Sequence, residues 1–117
     1  MHGAEDRPGL LDGTAHLGKS IEELDAVIST DPLDAEAYFR RGNAYSNRGD
    51  YRRAIRDLGR ATELRPSDSR AYNNLGMAYL CAGELDLALV KLGRAIELDP
   101  DYRDAYHNRG LALTDAG

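Results

Sequence analysis

Along residues 35–48 the packing positions fall at Tyr38, Arg41, Gly42 and Tyr45, and along 51–64 at Ala54, Ile55, Leu58, Ala61 and Thr62. Spacings of three and four set each group on one side of an α-helix and leave charged and amide side chains on the other. The same two-part pattern returns at Tyr72, Leu75, Gly76 and Tyr79, then at Leu85, Ala88, Leu89, Leu92, Ala95 and Ile96. Gly49-Asp50 and Gly83-Glu84 separate the two helices of each pair, because glycine tolerates the left-handed backbone that ends a helix. Pro32, Pro66 and Pro100 follow each second helix, where a missing N–H does least harm. Asp34, Ser67 or Asp68, and Asp101 are candidate N-caps for the helix that comes next. Connections this short predict antiparallel neighbours.

The pattern repeats with a period of 34: Pro32, Pro66 and Pro100 keep that step, as do Tyr38, Tyr72 and Tyr106, and Gly42, Gly76 and Gly110. A fixed period of this size marks a stacked array in which each unit buries its apolar face against its neighbours. The predicted fold is all-α, a solenoid of antiparallel helix pairs. Leu17, Ile21, Leu24, Val27 and Ile28 share one helical face, so residues 16–30 are expected to form the second helix of an earlier unit. The organisation is then an irregular segment over 1–15, a half unit over 16–34, full units over 35–68 and 69–102, and a half unit over 103–117. Gly3, Pro8, Gly9 and Gly13 oppose a regular helix in the first segment, allowing at most a turn around Leu10 and Leu11. The last half unit is a first-type helix, expected to leave Ala112 and Leu113 uncovered.

These residues resemble the tetratricopeptide repeat family. Tyr72, Leu75, Gly76, Tyr79, Ala88, Leu92 and Pro100 match its pattern closely. Tyr38, Gly42, Tyr45, Ala54, Leu58 and Pro66 match it with Arg41 in the leucine slot, and Tyr106, Arg109, Gly110 and Leu113 begin a third copy. The resemblance runs from about residue 16 to the end. It implies a right-handed superhelix whose first helices line a concave groove, and a role in holding other proteins. Gly42 and Gly76 allow the paired helix to approach closely, and Ala54, Ala61, Ala88 and Ala95 do the same from the other side. Gly76→Leu is expected to overpack that contact.

On the groove side the first helices carry Glu36, Phe39, Arg40, Asn43 and Asn47, then Arg70, Asn73, Asn74, Met77 and Cys81, then Asp104, His107, Asn108 and Leu111. Amides both donate and accept, so a row of asparagines can pair with the backbone of an extended peptide whatever its sequence. Phe39 and Met77 offer apolar contacts. The expected partner-binding residues are Phe39, Arg40, Asn43, Asn47, Arg70, Asn73, Asn74, Met77, His107 and Asn108. Some family members clamp the C-terminal carboxylates of chaperone tails with two asparagines and several basic residues. Asn43 and Asn74 resemble that pair, but Phe39, Asp104 and Asn108 stand where the bases belong, which argues against such a clamp.

Composition narrows the function further. The net charge of −5 speaks against a nucleic-acid binder, since phosphate affinity accumulates from Lys and Arg contacts. The charge is uneven: residues 40–70 hold nine arginines against four acids. Arg52, Arg53, Arg56 and Arg60 make a basic stripe on a second helix, read as a solvated face balanced by nearby acids. Glu22 and Glu23 are read as solvated too. No apolar run is long enough for a membrane span, and Met1 to Asp12 lacks the apolar core of a signal peptide. Cys81 is the single cysteine and reads as a small packing residue; a reducing, cytoplasmic setting fits. His2, His16 and His107 show no metal-ligand spacing, and no nucleophile or phosphate-loop signature occurs. The expectation is therefore a non-enzyme without cofactor or metal, a scaffold binding an extended peptide or helix of a partner protein. The alternatives are a module that self-assembles into a homo-oligomer through its open helical ends, or a regulatory arm of a larger enzyme.

Overall fold

The computed structural model describes residues 20–116. It contains helices α1 (Ile21–Thr30), α2 (Ala35–Asn47), α3 (Tyr51–Leu64), α4 (Ser69–Cys81), α5 (Leu85–Leu98) and α6 (Arg103–Ala116), with no strand among the described residues. The segment expected over 1–15, the start of the helix expected over 16–30, and His2 and His16 lie outside the described residues. Each helix packs mainly on the next along the chain, giving a stacked all-α solenoid. Ala112, expected to be uncovered, is fully buried because it faces the preceding unit; Leu113 is 53% exposed.

The helix starts follow from local chemistry. Ser20 begins α1 with a capping box: Glu23 N–H donates to the Ser20 hydroxyl at 3.1 Å, and Ser20 N–H donates to the Glu23 carboxylate at 2.8 Å. Glu23 thus anchors a helix end rather than simply lying on a solvated face. The carboxylates of Asp34, Asp50 and Asp68 accept N–H bonds from Ala37, Arg53 and Arg70 at 3.0, 3.2 and 3.0 Å. Glu84, the counterpart of Asp50, makes no such bond. Asp101 does not cap α6. The helix begins at Arg103, so the repeat register puts Tyr102 where Asp34 and Asp68 stand. Asp101 N–H instead donates to the Asp99 carboxylate at 3.1 Å.

The first helix of each full unit ends in a left-handed glycine, Gly49 at φ +78° and Gly83 at φ +84°. Gly49 N–H donates to Ser46 C=O and Asp50 N–H to Tyr45 C=O, both at 2.9 Å; Gly83 and Glu84 repeat these bonds to Leu80 and Tyr79. These bonds satisfy the final carbonyls and reverse the chain within two residues.

Between the paired helices the packing is tight. Leu58, Leu75 and Leu92 are essentially fully buried, each contributing about 1.5–3 kcal/mol by leaving water. A β-carbon at Gly42 would sit 2.7 Å from Leu58 Cγ, and one at Gly76 would sit 2.6 Å from Leu92 Cγ. The absent side chain is what admits each leucine. Arg41, in the slot that Leu75 fills one unit later, spans three helices. Its Nε and Nη2 donate to Asp57 Oδ2 and Oδ1 at 2.8 Å each, and its Nη1 donates to Asp25 at 2.9 Å. Asp57 is only 2% exposed. The hydrogen bonds to Asp57 raise the Arg41 pKa above its ordinary value, against the opposing pull of burial. Cys81 is exposed, not packed in the core, because it closes α4 at the solvent-facing turn; its thiol lies against the Tyr51 hydroxyl and raises that pKa.

Candidate functional site

Helices α2 and α4, the first helices of consecutive units, flank a concavity of about 850 Å³. Seven of the ten residues expected to bind a partner line it: Phe39, Arg40, Asn43, Asn47, Arg70, Asn74 and Met77. They share the lining because α2 and α4 present the same helical face one repeat apart. Asn43 and Asn74 meet across the wall, Asn74 Nδ2 donating to Asn43 Oδ1 at 2.9 Å. Asn43 accepts in that bond, so its own amide donors are not used there.

The other three lie elsewhere. Asn73 and Asn108 are buried and face each other, Asn108 Nδ2 donating to Asn73 Oδ1 at 2.9 Å. Asn73 Nδ2 donates to Asn74 Oδ1 at 3.1 Å and reaches the Tyr102 hydroxyl at 3.4 Å. Burial, and then the negative charge of Asp104, push the Tyr102 hydroxyl pKa up. These amides fasten α6 to α4 and are not presented to a ligand. His107 is exposed and outside the concavity.

Phe39 is nearly covered, at 9% exposure, because the Arg70 guanidinium stacks over its ring at 4.3 Å. Arg70 is itself held in place. Its Nε and Nη2 donate to the two oxygens of Asp68 at 3.1 and 2.9 Å, and Nη2 also donates to Glu36 at 3.0 Å. Asp68 hydrogen bonding raises the Arg70 pKa despite partial burial. Burial alone would push the Asp68 carboxyl up, but the Arg70 bonds, with help from the Ala71 and Arg70 N–H groups, outweigh it and hold that carboxyl below its ordinary range. Glu36 also pairs with Arg65 at 3.2 Å and Arg40 at 3.3 Å. The lining therefore carries Arg40, Arg48 and Arg70 against the single acid Glu36.

Sequence reasoning missed Ser20, Ile21, Ala44, Ser46 and Arg48 of the lining. Ser20 and Ile21 come from α1, whose edge closes one end of the concavity, and no periodicity within α2 or α4 points to them. Asp68 was legible only as a cap; its grip on Arg70 depends on side-chain reach. Among the described residues no cluster of three or more His, Cys, Asp and Glu is placed to hold a metal ion. No described helix is long and apolar enough to cross a membrane.

The helix pairs, the 34-residue register and the glycine–leucine contacts define a tetratricopeptide array. The chain belongs to the tetratricopeptide repeat family, whose models match residues 40–103 and 23–56. Repeats of this kind are generally non-catalytic scaffolds. The crystal structure of MamA is similar, with 34% identity over 80% of this chain and 51% of that one, at a TM-score of 0.77. So is YrrB, described as a TPR protein with an unusual peptide-binding site, with 28% identity over 77% of this chain and 46% of that one, at a TM-score of 0.73. This chain thus spans about half the length of each. The first TPR of Spaghetti (RPAP3), solved with the HSP90 peptide SRMEEVD, shares the fold at a TM-score of 0.83, with 20% identity over 95% of this chain and 88% of that one. No curated protein sequence matches the chain.

Proposed function

We propose that this chain is a protein-interaction module that holds an extended peptide or a helix of a partner in the concavity between α2 and α4. The observation that carries the reading is the lining itself: an amide pair, Asn43 and Asn74, beside Met77 and the Arg70-capped ring of Phe39. Asn43 donors can pair with a peptide carbonyl, while Met77 adapts to apolar side chains of different shape. The excess of arginine favours a segment that carries acidic side chains. The peptide-binding site ascribed to YrrB supports the same use of the fold. The Asn73–Asn108 pair holds the scaffold, so its role is to keep the concavity in shape.

The test is selection of displayed peptides on the whole chain, followed by affinity measurement against variants. Asn43→Ala is expected to weaken a selected peptide about fivefold or more, the loss of one or two hydrogen bonds. His107→Ala, outside the concavity, is expected to change nothing. Equal affinity for wild type and Asn43→Ala would place binding elsewhere.

A further inference from the structure

The three guanidinium groups of the concavity are not equally open to a guest. Arg70 is held by its own chain: Asp68 and Glu36 accept its N–H groups, and its plane lies over Phe39. Arg40 leans on the same Glu36 carboxylate at 3.3 Å. Arg48 forms no ion pair with an acid among the described residues. It closes the C-terminal end of α2 with helical backbone angles, φ −92° and ψ −1°, and its side chain is exposed on the wall. Helical side chains lean toward the residue four positions earlier. Here that residue is Ala44, which also lines the concavity and is small enough to leave room for the arginine stem. Glu36, the single acid of the lining, stands twelve residues back on the same helix. That is about 18 Å along the axis, about twice the distance over which salt screens exposed charges. Arg48 therefore keeps its full charge toward the opening.

We propose that Arg48 selects acidic guests by pairing with a side-chain carboxylate of the bound segment, while Arg40 and Arg70 serve to shape the wall. The inference rests on the reading of the concavity as a peptide site. It also fixes where the acid belongs. Met77 follows Asn43 by one 34-residue repeat, so the two share a level across the concavity. Arg48 lies five residues beyond Asn43, about 7.5 Å further along α2. Successive side chains on one face of an extended segment are about 6.6 Å apart. The guest thus carries its acid two or more residues away from the apolar side chain that meets Met77. Neither Arg40 nor Arg70 has this combination of an open charge and an offset from the apolar contact.

Two displayed peptide libraries, one complete and one lacking Asp and Glu, are selected on the full chain. The binders are then synthesised with amidated C-termini, so that only side chains supply negative charge. Binders from the complete library are expected to carry an acid, and Arg48→Gln to weaken them about fivefold, less at high salt. Changing that acid to its amide is expected to cause the same loss and to leave nothing further for Arg48→Gln to remove. The same cycle with Arg40→Gln is expected to show a smaller coupling. Acid-free binders are expected to be indifferent to Arg48→Gln; equal weakening of these would mean that the arginine acts through packing, and the assignment falls. Peptides that respond to Asn43→Ala but show no coupling to Arg48, or couple more strongly to Arg40, would overturn the assignment and leave the peptide site standing. No binder from either library, or binders indifferent to Asn43→Ala, would remove the peptide site and this inference with it.

Discussion

The Arg41–Asp57 pair occupies the same positions in its unit that Leu75 and Lys91 occupy in the next. Two chemically different solutions therefore fill one packing site. Arg41→Leu restores the family leucine but leaves Asp57, 2% exposed, without its counter-charge. That single change is expected to cost about 2–4 kcal/mol. Arg41→Leu combined with Asp57→Lys copies the neighbouring unit and is expected to recover most of the loss. Urea unfolding followed by circular dichroism checks both; equal midpoints for the single and double variants would contradict the exchange.

The glycines inside the helices divide into two groups. Gly76→Ala drives a β-carbon toward Leu92 and is expected to destabilise by about 1–3 kcal/mol through overpacking. Gly59 and Gly93 occupy equivalent places on α3 and α5, where a β-carbon meets nothing within 4 Å. Alanine at either is expected to stabilise by about 0.5–1 kcal/mol, by lowering the backbone entropy lost on folding. Thermal midpoints moving in opposite directions for the two groups are the expected readout.

Asp68 carries an acid-sensitive contribution. Its carboxyl titrates below its ordinary value in the folded chain, so its stabilisation is complete above about pH 4 and fades as pH falls through the folded value. Asp68→Asn keeps the cap and removes the charge that holds Arg70. It is expected to lower stability by about 0.5–1 kcal/mol at neutral pH, with the gap to wild type closing below pH 4. A gap that stays constant with pH would contradict the assignment. Loss of the Arg70 anchor should also loosen the cover over Phe39.

Glu84 starts α5 without a side-chain cap, whereas Asp50 caps α3 from the same position. The extra methylene of glutamate sets its carboxylate beyond the N–H groups that aspartate reaches. Glu84→Asp is expected to add about 0.5–1 kcal/mol, seen as slower amide exchange in the first turn of α5. Unchanged exchange there would mean that the cap does not form.

The helices were legible because their packing residues obey both a short spacing and a long period, and the glycine turns mark every reversal between paired helices. Asp57 was not. An acid among arginines on α3 looks solvated, and only the fold brings Arg41 over it from sixteen residues away. The asparagines show a second limit. Asn73 and Asn74 are adjacent, so they differ by about 100° around the helix. Sequence placed both in the groove, yet the rotation of α4 turns Asn74 to the concavity and Asn73 to Tyr102 and Asn108. Arg40 and Met77 needed no such precision, because their long side chains reach the space from a wider arc.

The amide chain from Asn43 through Asn74 and Asn73 to Asn108 links three successive first helices along the stack. Its links have lengths fixed by hydrogen bonding, so they set the spacing between neighbouring units much as rungs fix the rails of a ladder. Flattening or tightening the curve of the array would have to stretch those links, and at the buried Asn73–Asn108 link a lost bond finds no water to replace it. On the reading proposed above, a guest would meet an opening whose width is set before it arrives, with adjustment left to the Met77 side chain rather than to the backbone.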